Sequence, residues 1–244
     1  KGKAMNKVHL VSYPRSGNTW VRFLIANIQH PEIDIGYKEL DRLVPDIHQP
    51  HSWKGEKFDW SPVVFKSHEI FRDDYEKLIY LYRDGRDVAL SCYYFYQGAW
   101  SSPEWRIAPI KMSFTQYLRQ FVMDWNTYGG WKEHVSFWVV RRILNTDVFF
   151  VKYEDLIRDP YMGLIKMLKF LEINCTYEQV CAAVHKSEYS KLKKRAPGDG
   201  QHPYSSGTKG TAGGWKKIFT EEQKKIFWDY AGDLMKELEY KKEG

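Results

Sequence analysis

Four short apolar runs constrain this chain more than any other feature: VHLVSY at 8–13, VVFKSH at 63–68, KLIYLY at 77–82 and DVFFVKY at 147–153. They are too short for core helices and too continuous for strands wetted on one face. They read as strands buried on both sides. Between them the apolar spacing is helical. NTWVRFLIANIQ follows the first run with apolar residues at 20, 21, 24, 25 and 28. The same reasoning predicts helices at about 37–43, 84–97, 113–127, 131–144, 160–171, 176–186 and 220–238. Asp159-Pro160 supplies an N-cap and a first helical residue, and Thr220-Glu221-Glu222 opens the last helix. Strands alternating with helices predict an α/β fold: a single domain with a parallel β-sheet flanked by helices on both faces. Residues 187–214, rich in Lys, Ser and Gly, read as a long loop. No repeat or linker divides the chain, so one domain is expected over 5–244, with 1–4 read as a tag remnant ahead of Met5.

Composition removes several function classes. With 244 residues the chain can bury one sizeable core. No stretch approaches 18 consecutive apolar residues, so no membrane partner is expected. No apolar run follows the basic start, so no secretory leader is expected. The net charge of +6 fits a basic surface or a polyanionic ligand; without a long basic tract, nucleic acid is the weaker option. Three cysteines, odd in number and without a CxxC pair, argue against disulfides and cysteine-rich zinc sites and for a reducing, cytoplasmic setting. His48 and His51 form an HxxH interrupted by Pro50 and read as loop, so no metal is expected.

The stretch Ser12-Tyr13-Pro14-Arg15-Ser16-Gly17-Asn18-Thr19-Trp20 lies between a strand and a helix. Such a loop aims backbone N–H groups and a positive helix end at one place, which suits a phosphate. A nucleoside-triphosphate loop needs Gly-Lys followed by Ser or Thr. Here Asn18 follows Gly17 and the cation is earlier, at Arg15. The loop is therefore P-loop-like without triphosphate or metal chemistry; the alternative is a tight turn with Asn18 as helix cap.

SYPRSGNTW resembles the phosphosulfate-binding loop of the sulfotransferases that use 3′-phosphoadenosine 5′-phosphosulfate (PAPS). Lys66-Ser67-His68 is similar to their Lys-Thr-His segment, and Tyr82 to Ser91 (YRDGRDVALS) to their 3′-phosphate motif. Phe150 to Leu156 (FVKYEDL) resembles their strand ending in Tyr-Glu-Asp. Lys209-Gly210, with Gly213, Trp215, Phe219 and Thr220, resembles their C-terminal block. The matches run in family order over about residues 8–220.

The resemblance implies transfer of a sulfuryl group from PAPS to a hydroxyl or amine of a small acceptor, releasing PAP without a metal. It implies that Arg15 stands where the animal enzymes carry lysine and neutralises the leaving oxygen. Arginine keeps the charge but cannot release a proton. Ser16, Gly17, Asn18 and Thr19 would cradle the 5′-phosphate. Arg83, Ser91, Lys209 and Gly210 would hold the 3′-phosphate, although Thr208 replaces the family's arginine. Trp20, Tyr153, Ser187 and Tyr189 would surround the adenine. His68 would be the general base, with Lys66 beside it. Phe95 matches an acceptor-lining position; Trp53 and Tyr94 could join it, or serve as ordinary packing. Of the family's dimer motif Lys216 and Thr220 remain, but Glu221 and Lys225 replace its Val and Glu, so that dimer mode is not expected. Two rivals differ in class. A small-molecule kinase of the P-loop type would need a Gly-Lys-Ser/Thr loop and magnesium ligands. A non-catalytic nucleotide- or RNA-binding protein would not need His68 in register with Lys66.

Overall fold

The computed structural model describes residues 7–49, 57–72, 74–97, 110–123, 127–144, 147–194 and 211–243. The four apolar runs form strands β1 (Lys7–Ser12), β2 (Val63–Ser67), β3 (Leu78–Tyr82) and β4 (Val148–Lys152). They make one all-parallel sheet in the order β2-β1-β3-β4. Side chains alternate across it as the pleat requires. Val8, Leu10, Ile79, Leu81 and Val151 point to one layer; Val11, Leu78, Tyr80 and Val148 point to the other.

Helices cover both faces. The first layer is built on α1 (Asn18–Gln29), α2 (Tyr37–Leu43), α7 (Pro160–Leu171) and α8 (Tyr177–Lys186). The second is built on α3 (Gly85–Gln97), α4 (Phe114–Phe121), α5 (Trp131–Leu144) and α10 (Glu221–Glu237). The caps follow local chemistry: Asp159 accepts from the Met162 N–H at 2.9 Å with Pro160 at the first helical position, and Thr220 with Gln223 forms a capping box on α10. Among the described residues no helix is long and apolar enough to cross a membrane.

Three boundaries differ from the sequence reading. The fourth strand stops at Lys152, and Tyr153–Arg158 forms a short helix, α6, because Tyr153 and Leu156 bury together one turn apart. Helix α4 ends at Phe121, short of 127: Tyr117, Leu118 and Phe121 complete its buried face, and Met123 is already exposed. Tyr189–Lys194 forms α9 inside the expected loop, anchored by Leu192, which is buried, and by its N–H bond to the Glu188 carbonyl.

The strand order sets the location of the site. From β1 the chain leaves to α1 on one face, and from β3 it leaves to α3 on the other. The adjacent carboxyl ends of β1 and β3 therefore open a crevice between diverging connections, where ligands bind in open α/β sheets.

Candidate functional site

The loop after β1 is held in a conformation that ordinary residues avoid. Arg15 has φ +67° and Gly17 has φ +102°, both left-handed. The Ser16 N–H bonds to the Tyr13 carbonyl at 3.3 Å, closing the turn. Alternation of this kind curls successive N–H groups around a concavity suited to an anion. Gly17 is required twice over: a Cβ there would lie 2.5 Å from ring carbons of Tyr153, and its φ disfavours any side chain. The alternative reading of this loop, a tight turn with Asn18 as the cap of α1, places Asn18 one residue too early. Gly17 holds the cap position; Asn18 is the first helical residue, and its amide turns back to the Leu10 carbonyl at 3.3 Å and Ser12 Oγ at 3.0 Å. That side chain ties loop to strand. The Ser16 hydroxyl is buried and has no hydrogen-bond partner among the described residues.

Arginines just past the ends of β1 and β3 meet at this loop. Arg15 donates from Nε to Ser91 Oγ at 3.2 Å, and its guanidinium lies 4.9 Å from the Phe95 ring centroid. Ser91 and Phe95 are one turn apart on α3 and so share a face. Arg83, buried, donates to the Arg15 carbonyl at 3.3 Å and the Thr211 carbonyl at 2.9 Å, and stacks on Tyr153 at 4.7 Å. Its Nε has no partner among the described residues. Asp87, 3.9 Å from Arg83, accepts from the Gly213 N–H at 2.6 Å and the Trp215 N–H at 2.9 Å. Burial pushes the Asp87 carboxyl above its ordinary range, with Arg83 opposing. The pair of motif arginines divides its work: Arg86 is consumed by Asp84, by the Lys241 and Lys242 carbonyls and by the Trp215 ring at 3.6 Å, so it anchors the C-terminal segment.

His68 stands at the end of β2, where the pairing of Val11 with Ser67 brings it beside Ser12. Its Nδ1 lies 2.7 Å from the Ser12 carbonyl. A carbonyl can only accept, so Nδ1 carries the proton and Nε2 carries the lone pair. Burial holds the ring well below the usual histidine range, and the Lys66 charge adds to this. Lys66 forms an ion pair with Asp46. Burial lowers Lys66; Asp46, which burial alone would raise, is held low by Lys66 and by the His48 N–H at 3.0 Å. His48 stacks on His68 at 6.1 Å, and Tyr128 sits 5.5 Å from His68 and 5.1 Å from His48.

The remaining residues singled out in the sequence fall as follows. Trp20 meets Tyr153 edge-on at 6.0 Å. Ser187 is fully buried at the end of α8, accepting from Asn27 Nδ2 at 3.2 Å. Asn27 lies roughly 13 Å along α1 from Asn18 at 1.5 Å per residue, so Ser187 is remote from the loop. Phe95 reaches the site through Arg15, whereas Tyr94 packs on Tyr93 at 5.6 Å, against the second layer. Thr19 lies in the first turn of α1. Trp53, Lys209 and Gly210 lie outside the described residues, as does His51; of Tyr189 only the backbone, opening α9, is described. Asp46, His48, Asp87, Tyr128 and His134 were not foreseen as parts of this corner. Asp46, His48 and Tyr128 carry no periodic signal, and His134 reads as a lone histidine on an apolar helix.

A family model described as a sulfotransferase domain matches residues 5–239. The chain is 27% identical to rat sulfotransferase 1 family member D1, over 93% of this chain and 82% of the relative. It is 28% identical to human sulfotransferase 4A1, over 90% and 77% respectively. Among solved structures, mouse sulfotransferase SULT7A1 complexed with PAP superposes with a TM-score of 0.71 at 23% identity, covering 96% of this chain and 88% of that one. Retinol dehydratase in complex with androsterone and PAP superposes with a TM-score of 0.74 at 20% identity, covering 95% and 81%. With a family model spanning nearly its whole length, the chain belongs to the PAPS-dependent sulfotransferase family.

Proposed function

We propose that this protein moves the sulfuryl group of PAPS to a hydroxyl or amine of a small acceptor, releasing PAP, with His68 as general base. The observation that carries the reading is the crevice at β1 and β3. There a left-handed loop, with a buried Ser16 hydroxyl and an Arg83 Nε that have no partner among the described residues, forms a ready anion site with a neutral imidazole at its edge. Buried polar groups without partners are costly in a finished core and fit a ligand that completes them. The loop N–H groups of Ser16 to Thr19 would hold the 5′-phosphate. Arg83 and Ser91, with Lys209 and Gly210, would hold the 3′-phosphate; Trp20, Tyr153 and Tyr189 would enclose the adenine, while Ser187, buried against Asn27, packs behind α1.

In the reaction the acceptor oxygen or nitrogen forms a bond to sulfur as the bond from sulfur to the 5′-phosphate oxygen breaks. The acceptor proton passes to His68 Nε2. The negative charge gathering on the leaving phosphate is answered by Arg15, which stays protonated throughout. The departing group is a phosphate, so alignment and charge stabilisation carry most of the catalysis, as in loose phosphoryl transfer. Phe95, flanking Arg15, would border the acceptor, with Trp53 as a further candidate; Tyr94 packs on Tyr93 instead. A reducing, cytoplasmic setting is part of the same reading and rests on the sequence's odd cysteine count without a CxxC pair.

His68→Asn tests the base. Turnover of labelled PAPS should fall roughly 10²–10⁴-fold, the usual contribution of a positioned base. PAP affinity by calorimetry should stay near wild type, since no phosphate contact is assigned to His68. Retained turnover removes His68 from the mechanism; lost PAP affinity makes it a structural residue.

A further inference from the structure

His68 is held by its peptide as well as by its ring. Its N–H donates to His48 Nε2 at 3.1 Å, and its carbonyl lies 3.1 Å from His134 Nε2. His134 sits on α5, fully buried beneath the site, so it meets neither solvent nor acceptor. Because the His68 carbonyl can only accept, His134 Nε2 carries a proton. Burial lowers the His134 pKa to about 4, so the ring is neutral and its Nδ1 is bare. Tyr80 Oη, from the middle of β3, lies 2.9 Å from that Nδ1 and donates to it. The result is a directed chain of neutral donors from the sheet centre, through His134, to the backbone of His68.

A buried histidine that merely satisfied its own nitrogens would have no need of the peptide that carries the base. We propose that His134 is a positioning residue for the transfer reaction, fixing the His68 peptide through the Tyr80–His134–His68 hydrogen-bond chain. The proposal rests on His68 being the base. With the carbonyl tied by His134, the N–H by His48 and Nδ1 by Ser12, the only polar atom of His68 outside these three bonds is Nε2. Freeing the peptide would let the ring drift, and a misplacement of about 1 Å can cost on the order of 100-fold in rate.

Asparagine can place its amide where His134 Nδ1 lies but cannot reach the His68 carbonyl; glutamine reaches the Nε2 position. His134→Asn should therefore lower kcat on the order of 10–100-fold, with the PAPS KM and PAP affinity unchanged. His134→Gln should restore most of the rate. In a His68→Asn background, His134→Asn should add no further loss, because it acts only through that residue. The proposal is overturned if His134→Asn keeps wild-type kcat while His68→Asn is inactive, if Gln and Asn are equally impaired, or if the two losses multiply. Retained turnover in His68→Asn alone overturns the base assignment and this proposal with it. Should His134→Asn fail to fold or to bind PAP, Tyr80→Phe reads the same chain by removing one hydroxyl. A roughly fivefold loss of kcat, as for one hydrogen bond, supports the proposal; an unchanged kcat overturns it.

Discussion

Replacing Arg83 by methionine probes the anion site and its scaffold together. In the free protein the guanidinium supplies donors to the Arg15 and Thr211 carbonyls, stacks on Tyr153 and faces Asp87 at 3.9 Å. Methionine keeps much of the volume and loses all of the donors. Two carbonyls that each lose the Arg83 donor and one lost cation–π contact cost about 2–4 kcal/mol together. For a chain of this size that is on the order of 5–15 °C in Tm. The loss should depend on pH with a definite sign. Burial raises the folded-state pKa of Asp87 above its unfolded value, so its charged form burdens the fold as pH rises through that raised value. Without Arg83 the burden grows, so the variant should lose more stability at pH 8 than at pH 5. Nucleotide binding should weaken by about 1.5–3 kcal/mol for a lost charge-assisted bond, or roughly 10–150-fold in the Kd for PAP. Titration calorimetry with PAP, alongside melts at pH 5 and pH 8, reads both effects. An unchanged PAP affinity in a folded Arg83→Met protein would refute the phosphate role; equal destabilisation at both pH values would refute the coupling to Asp87.

Two further outcomes follow from the geometry. Gly17→Ala should cost about 1–3 kcal/mol in backbone strain and collision with Tyr153, and should weaken PAP binding at least tenfold by calorimetry; unaltered binding would count against the loop as the anion cradle. On the acid side, His9 and His134 are each lowered by burial to about 4. Their neutral forms stabilise the fold fully above about pH 6.5, where unfolded histidine titrates. That stability is lost as pH falls toward 4, up to about 3 kcal/mol for each ring. Urea unfolding at pH 7.5, 5.5 and 4.5 checks this, and a flat profile would refute it.

Much of the fold is legible in the sequence because buried parallel strands must be nearly continuous apolar runs. VHLVSY, VVFKSH, KLIYLY and DVFFVKY mark themselves, as do the caps at Asp159 and Thr220. The position of the phosphate loop is equally local, since a strand, a turn with glycine and a helix follow one another within residues 8–29. Sequence also places Arg15, His68 and Arg83 at strand ends, and a parallel sheet delivers such ends to one edge. What it cannot give is partnership across the chain. Arg83 and Arg86 stand in the same short motif, and only packing shows that Arg86 is spent on Asp84 and the C-terminal carbonyls while the Arg83 Nε has no partner among the described residues. Asn18 reads as a cap until its amide is seen on Leu10 and Ser12. His48 and His134 come from a loop and a helix far from His68 in sequence, yet they grip its two peptide groups. Periodicity reports which face of an element is buried. It carries no record of which buried polar atoms meet, because that pairing is set by the register of β1 against β2 and by the seating of α5 on the sheet.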